Sequence, residues 1–211
     1  MTTRWAFVPS APLLAVAGDP LLVTARDAAH GAVSRLTDGA TMITVLDASG
    51  AHTELGEDAG GSLRHLGLDV HAGGPRDELG LGHTIGAWLL DRSGWTGPRR
   101  YVSSLAEVPR ALLVVADGCA CVNDSSPLGF DPRGPKTQAQ ILDALGHPDP
   151  DALAALDPAS VHELGCAGAA TLAVAGRAAM GRRWRGTVEY DDAPLGIGYW
   201  VAAWELLGSS P

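Results

Sequence analysis

Six consecutive side chains without a polar atom, Ala111-Leu112-Leu113-Val114-Val115-Ala116, constrain this chain more than any other feature. The run is too short for a buried helix and far too short to span a bilayer, so it reads as a strand. A strand that is apolar at every position has no face for water, and both of its faces must be covered. Met42 to Leu46 repeats the pattern, broken only by Thr44. A sheet made of such strands needs helices on both sides.

The rest of the chain supplies them. Trp5-Ala6-Phe7-Val8 reads as a first strand, closed by Pro9. From Asp19, read as an N-cap with Pro20 in the first helical position, Leu22, Ala25, Ala29, Ala32, Val33 and Leu36 recur at helical spacing. A Gly-rich loop is expected over 50–61, a short strand over 66–70 and a helix over 79–92. Tyr101 to Ser103 reads as a short strand, and a Pro/Gly-rich connection over 123–135 leads to a helix over 137–145. The Asp-Pro pairs at Asp149 and Asp157 mark starts of short helices. The stretch 166–180 reads as a helix of small residues. A closing strand over 198–206 carries Trp200 and Trp204 on one face. The order implies an α/β fold: three layers, with a mostly parallel central sheet and helices on both faces, in a single domain over residues 1–211.

Composition narrows the function classes. Hydrophobic residues at 46% against 18% charged describe a packed core rather than a disordered chain. Lys136 is the one lysine among 15 basic residues, a codon signature of a GC-rich genome, so the arginines are no sign of phosphate recognition. A net charge of −9 provides no basic face for nucleic acid or an anionic membrane. Arg4 and the apolar stretch from Trp5 to Leu14 imitate a signal peptide, but Pro9 and Pro12 interrupt it. Three cysteines do not make a disulfide framework. A cytoplasmic protein is expected.

In α/β folds, ligands sit beyond the carboxyl ends of the strands. Three such ends carry chemistry here: Ser10 after the first strand, Asp47 to His52 after the second, and Asp117 to Asp124, with Asn123, after the central one. Cys119 and Cys121 form half of a thiolate site at best, and as free thiols they read as small buried hydrophobes. His162-Glu163-Leu164-Gly165-Cys166 imitates a zinc-protease helix with cysteine in the last ligand position. Gly80 to Gly86 lacks the dinucleotide-binding spacing and reads as a structural helix. Ser10, His52 and Asp117 form an imaginable triad without the Gly-x-Ser-x-Gly elbow. His30, His65, His71, His83 and His147 read as surface or capping residues.

Phe7-Val8-Pro9-Ser10-Ala11-Pro12-Leu13-Leu14, the central strand with Asp117-Gly118, and the loop through Phe130-Asp131-Pro132 together resemble the subunit-B-like domain of class III extradiol ring-cleavage dioxygenases. The stretches 87–95 and 192–199 are similar to an actinobacterial branch of that superfamily, distantly Memo-like. The resemblance implies a three-layer α/β fold with a non-haem Fe(II) held by two histidines and a glutamate, open to catechol and O₂, and a further acid/base histidine. Carried over by position, Ser10 stands where the first histidine is expected, and His52 is nearest the second. Glu163 or Cys166 is nearest the third, and Cys121-Val122-Asn123 replaces the acid/base.

The leading expectation is therefore a dioxygenase-fold protein without its iron chemistry and without a resident cofactor. It would keep a small-molecule pocket among Ser10, Asp47, His52, Asp117, Asn123 and Asp124. A second reading is a metal-dependent oxidoreductase or hydrolase holding Fe(II) or zinc on His52 with Glu163 or Cys166. A third is a homo-oligomer joined through Trp200 and Trp204, against the alternative that both tryptophans fill the core.

Overall fold

A computed structural model describes residues 2–16 and 18–208 of the chain. It is a mixed α/β structure. In chain order, β1 (Arg4–Val8) leads to α1 (Val23–Thr37) and β2 (Ile43–Leu46). The short strands β3 (Glu54–Leu55), β4 (Ala59–Ser62), β5 (His71–Gly73) and β6 (Arg76–Asp77) follow, then α2 (Leu81–Arg92), β7 (Arg99–Val102) and β8 (Ala111–Val115). Next come α3 (Arg133–Gly146), α4 (Pro150–Ala154) and α5 (Ala169–Ala179). The hairpin β9 (Trp184–Asp192) and β10 (Tyr199–Leu206) ends the described chain. The main sheet has seven strands in the order β3-β7-β2-β8-β1-β10-β9, and β5-β4-β6 form a second sheet.

The apolar run lies where its composition requires. β8 sits between β2 and β1, parallel to both. Ala111, Leu113 and Val115 enter one hydrophobic cluster with the buried residues of α1 and α2. Leu112, Val114 and Ala116 enter the other, with those of α3, α4 and α5. Alternate side chains of one strand thus feed two cores, which is why the run has no polar position.

The second cluster is built on tryptophan. Trp5 lies 4.6 Å from Trp184 and 6.3 Å from Trp204 between ring centroids, and Phe7 meets Trp204 edge-on at 5.0 Å. The indole N–H groups of Trp5, Trp184 and Trp204 donate to the carbonyls of Pro109, Ala179 and Leu145. These large side chains are therefore buried without orphaned donors. Trp200 and Trp204 are 0% and 1% exposed, so they fill the core and cannot form a subunit contact.

Several expectations are corrected. The sheet is mixed: β7-β2-β8-β1 run parallel, whereas β3, β10 and β9 pair antiparallel at its flanks. Asp19 caps a turn through the N–H groups of Leu21 and Leu22, and α1 begins only at Val23. The 50–61 loop contains β3 and β4. The strand expected over 66–70 is replaced by a 3₁₀ turn, Arg64–Leu66, closed by Gly67 at φ +80°. α3 starts four residues before Thr137, because Pro135 falls in the first turn, where its missing N–H costs nothing. Asp149 caps α4 through the Ala152 N–H, but Asp157 opens only turns. β9 is not visible in the sequence, because its exposed alternation of charged residues carries little apolar signal.

Candidate functional site

The β1–β8 register sets the site. Val8 pairs with Val115, so the residues two further on, Ser10 and Asp117, leave the sheet side by side. The Ser10 N–H donates to Asp117 Oδ1 and its hydroxyl to Oδ2, both at 2.7 Å. One strand over, beyond the end of β2, Asp47 is held the same way. Its Oδ1 accepts the Ser49 N–H at 2.9 Å and the Ser49 hydroxyl at 2.6 Å.

Two helices close on these two residues. A Cβ at Gly82, in the first turn of α2, would lie 2.4 Å from Asp47 Oδ2, so only glycine lets the helix sit this close. The positive end of a helix dipole next to a carboxylate is favourable. Gly168, at the start of α5, donates its N–H to the Asp117 carbonyl at 2.9 Å, and a Cβ there would come within 2.3 Å of that oxygen. Thr171 on α5 accepts the Ala48 N–H through its hydroxyl, tying the loop after β2 to α5.

Enclosure of the Asp117 carboxyl pushes its pKa up to about 6, against the two Ser10 hydrogen bonds that favour the charged form. The charged neighbour acting on it is another carboxylate, Asp47, which pushes it the same way. Tyr199, at the start of β10, is held above the usual phenol range by burial and then by the Asp117 charge. His83 was expected at the surface, yet it is 3% exposed and donates Nε2–H to the Val102 carbonyl at 3.0 Å. Burial lowers its pKa, and Asp47 opposes this. The sequence carried a signal for it, since His83, Ala87 and Leu90 recur at helical spacing.

The other expected site residues go elsewhere. The Asn123 amide donates to the Ala193 carbonyl and accepts the Ser125 N–H, so it joins two loops. Asp124 is exposed. His52 is exposed, with Nδ1 3.2 Å from the Ser103 hydroxyl, so the Ser10–His52–Asp117 triad does not form. Glu163 is exposed and pairs with Arg133 at 3.3 Å. His162 to Leu164 is a single 3₁₀ turn ended by Gly165 at φ +62°, so His162 and Cys166 do not share a helix face. Cys119, Cys121 and Cys166 are buried free thiols, and Cys166 donates to the Cys119 sulfur, which holds the Cys166 thiol far up.

These residues do not fit an iron centre of two histidines and a carboxylate. Ser10, which the resemblance sets at the place of the first histidine, is already spent on Asp117. His52, Glu163 and Cys166 each have a different partner. Among the described residues no three His, Cys, Asp or Glu side chains are placed to share an ion. A cavity of about 650 Å³ opens at the other end of β1, lined in part by Arg4, Trp5, Leu36, Glu189 and Trp204. Among the described residues no helix is long and apolar enough to cross a membrane.

Fold and site together define a mixed α/β protein with paired, serine-bound carboxylates beyond its central parallel strands. No protein-family model matches the chain, and no curated protein matches it.

Proposed function

We propose that this protein is a small-ligand-binding member of the class III extradiol dioxygenase subunit-B-like fold, on a three-layer α/β scaffold, and that it does not cleave catechols. The Ser10–Asp117 pair carries this reading, because it occupies the strand end where the resemblance calls for an imidazole ligand. The ligand class follows from the charges. The Asp47 carboxylate acts on Asp117 as a like charge, so a ligand bearing an ammonium group or several hydrogen-bond donors relieves that repulsion.

The experiment is a thermal-shift and calorimetric titration with small primary amines and catechols, on the wild type, Asp117→Asn and Asp47→Asn, alongside oxygen uptake. The expected result is stabilisation of the wild type by an amine, lost in Asp117→Asn, with no oxygen consumed on catechols. Oxygen uptake on a catechol, or amine responses identical in all three proteins, overturns the proposal.

A further inference from the structure

β9 is the outermost strand of the main sheet and, among the described residues, is hydrogen-bonded on one side only, to β10. A long open edge strand is a template for another strand, and soluble proteins commonly guard such edges with charge. The charges here have an order. Reading from Arg182, the segment is Arg-Arg-Trp-Arg-Gly-Thr-Val-Glu-Tyr-Asp-Asp, basic before Thr187 and acidic after it. Against an identical antiparallel strand pivoting on Thr187, Arg185 falls opposite Glu189, Arg183 opposite Asp191 and Arg182 opposite Asp192. Gly186 faces Val188, and Trp184 faces Tyr190. The strand is complementary to itself.

We propose that the β9 edge is the two-fold contact of a homodimer, in which β9 pairs antiparallel with β9 of a second copy about Thr187 and joins the two seven-stranded sheets into one. A two-fold contact requires one surface to complement itself, and this charge order meets that requirement. The same order rejects strands that lack it, because like charges would then be opposed. β9 carries a bulge, since Val201 pairs with Tyr190 and Ala202 with Val188, which leaves Glu189 over. Beyond the bulge the register moves by one residue: Arg183 then meets Asp192, while Trp184 falls opposite Asp191 and Arg185 opposite Tyr190, so the charge match is carried by the strand ends. Within one chain, Arg185 and Glu189 pair with Glu205 and Arg35. Asp191 and Asp192, by contrast, are exposed neighbours without an ion-pair partner among the described residues, and the charge of Asp192 adds to burial in raising Asp191. Arg183 is exposed, and Arg182 spends one nitrogen on the carbonyls of Ala178 and Met180 at the end of α5. A second copy supplies each end of the strand with the counter-charges it lacks.

Sedimentation velocity and light scattering test this on the wild type and two charge-swapped proteins, Asp191→Arg/Asp192→Arg and Arg182→Asp/Arg183→Asp. The wild type is expected to be a concentration-dependent dimer whose dissociation constant rises severalfold with added salt. Each swapped protein alone is expected to be a monomer, and an equimolar mixture of the two to regain the dimer mass. The wild-type salt series reads the contact without depending on how the variants fold. A wild type that is monomeric at every concentration, a dimer indifferent to salt, or swapped proteins that dimerise singly or fail to pair when mixed overturns the proposal.

Discussion

Ser10 and Asp117, 107 residues apart in sequence, are joined by two hydrogen bonds of 2.7 Å, one from the Ser10 backbone and one from its hydroxyl. The bidentate contact satisfies both carboxylate oxygens beyond the ends of two adjacent parallel strands. It also locks the loop after β1 to the loop after β8.

The titration of Asp117 is the first consequence. Its folded value of about 6 lies above the ordinary 3.8, so the native state holds the proton more tightly than the unfolded chain. Between those values rising pH costs stability, and above about 6 the cost levels off. Asp117→Asn removes the ionisation and keeps an acceptor for Ser10. Its stability relative to wild type is expected to rise by ~2 kcal/mol from pH 4 to pH 6.5, less than the full shift because Asp117 retains some exposure. Urea unfolding across that range measures it, and Ser10→Ala should move the titration higher. A pH-independent difference contradicts the assignment.

Gln138 gives the second. It is 7% exposed on α3, lies against Gly118 and Gly198, and among the described residues neither end of its amide has a hydrogen-bond partner. An orphaned buried amide costs ~1–3 kcal/mol, whereas an unbranched thioether fits the same space. Gln138→Met is expected to raise the unfolding free energy by about 1 kcal/mol in chemical denaturation. Destabilisation would show that the amide has a partner.

The three thiols give the third. All are buried, and Cys166 is further suppressed by its hydrogen bond to Cys119. An aromatic disulfide reagent at pH 8 is expected to label the native protein only at the rate of local opening, and to count three thiols at once in denaturant. Rapid native labelling of Cys119 or Cys166 would contradict the packing.

The parts of the fold legible in sequence are those where burial is complete. The run 111–116 and the residues around Trp5 announce strands covered on both faces, and α1 and α2 show their helical spacing. Segments whose conformation rests on single contacts were not legible: the turn at Gly67, the helix start set by Pro135, and β9, whose exposed charges hide its strand period. In the site, Ser10, Asp47 and Asp117 follow from the rule that ligands gather at strand ends. His52, Asn123 and Asp124 obey the same rule but turn away, because loop geometry after a strand has no periodicity to read. His83 lies inside a helix, where its polarity masks its place on the buried face.

Among the described residues no iron ligand set is assembled, so metal content is the decisive measurement. Protein purified without chelators or metal-affinity steps, and then offered Fe(II) or zinc, is expected to retain far less than one equivalent. His52→Ala should leave that residue of metal unchanged. Stoichiometric iron or zinc that disappears with His52→Ala would contradict the account.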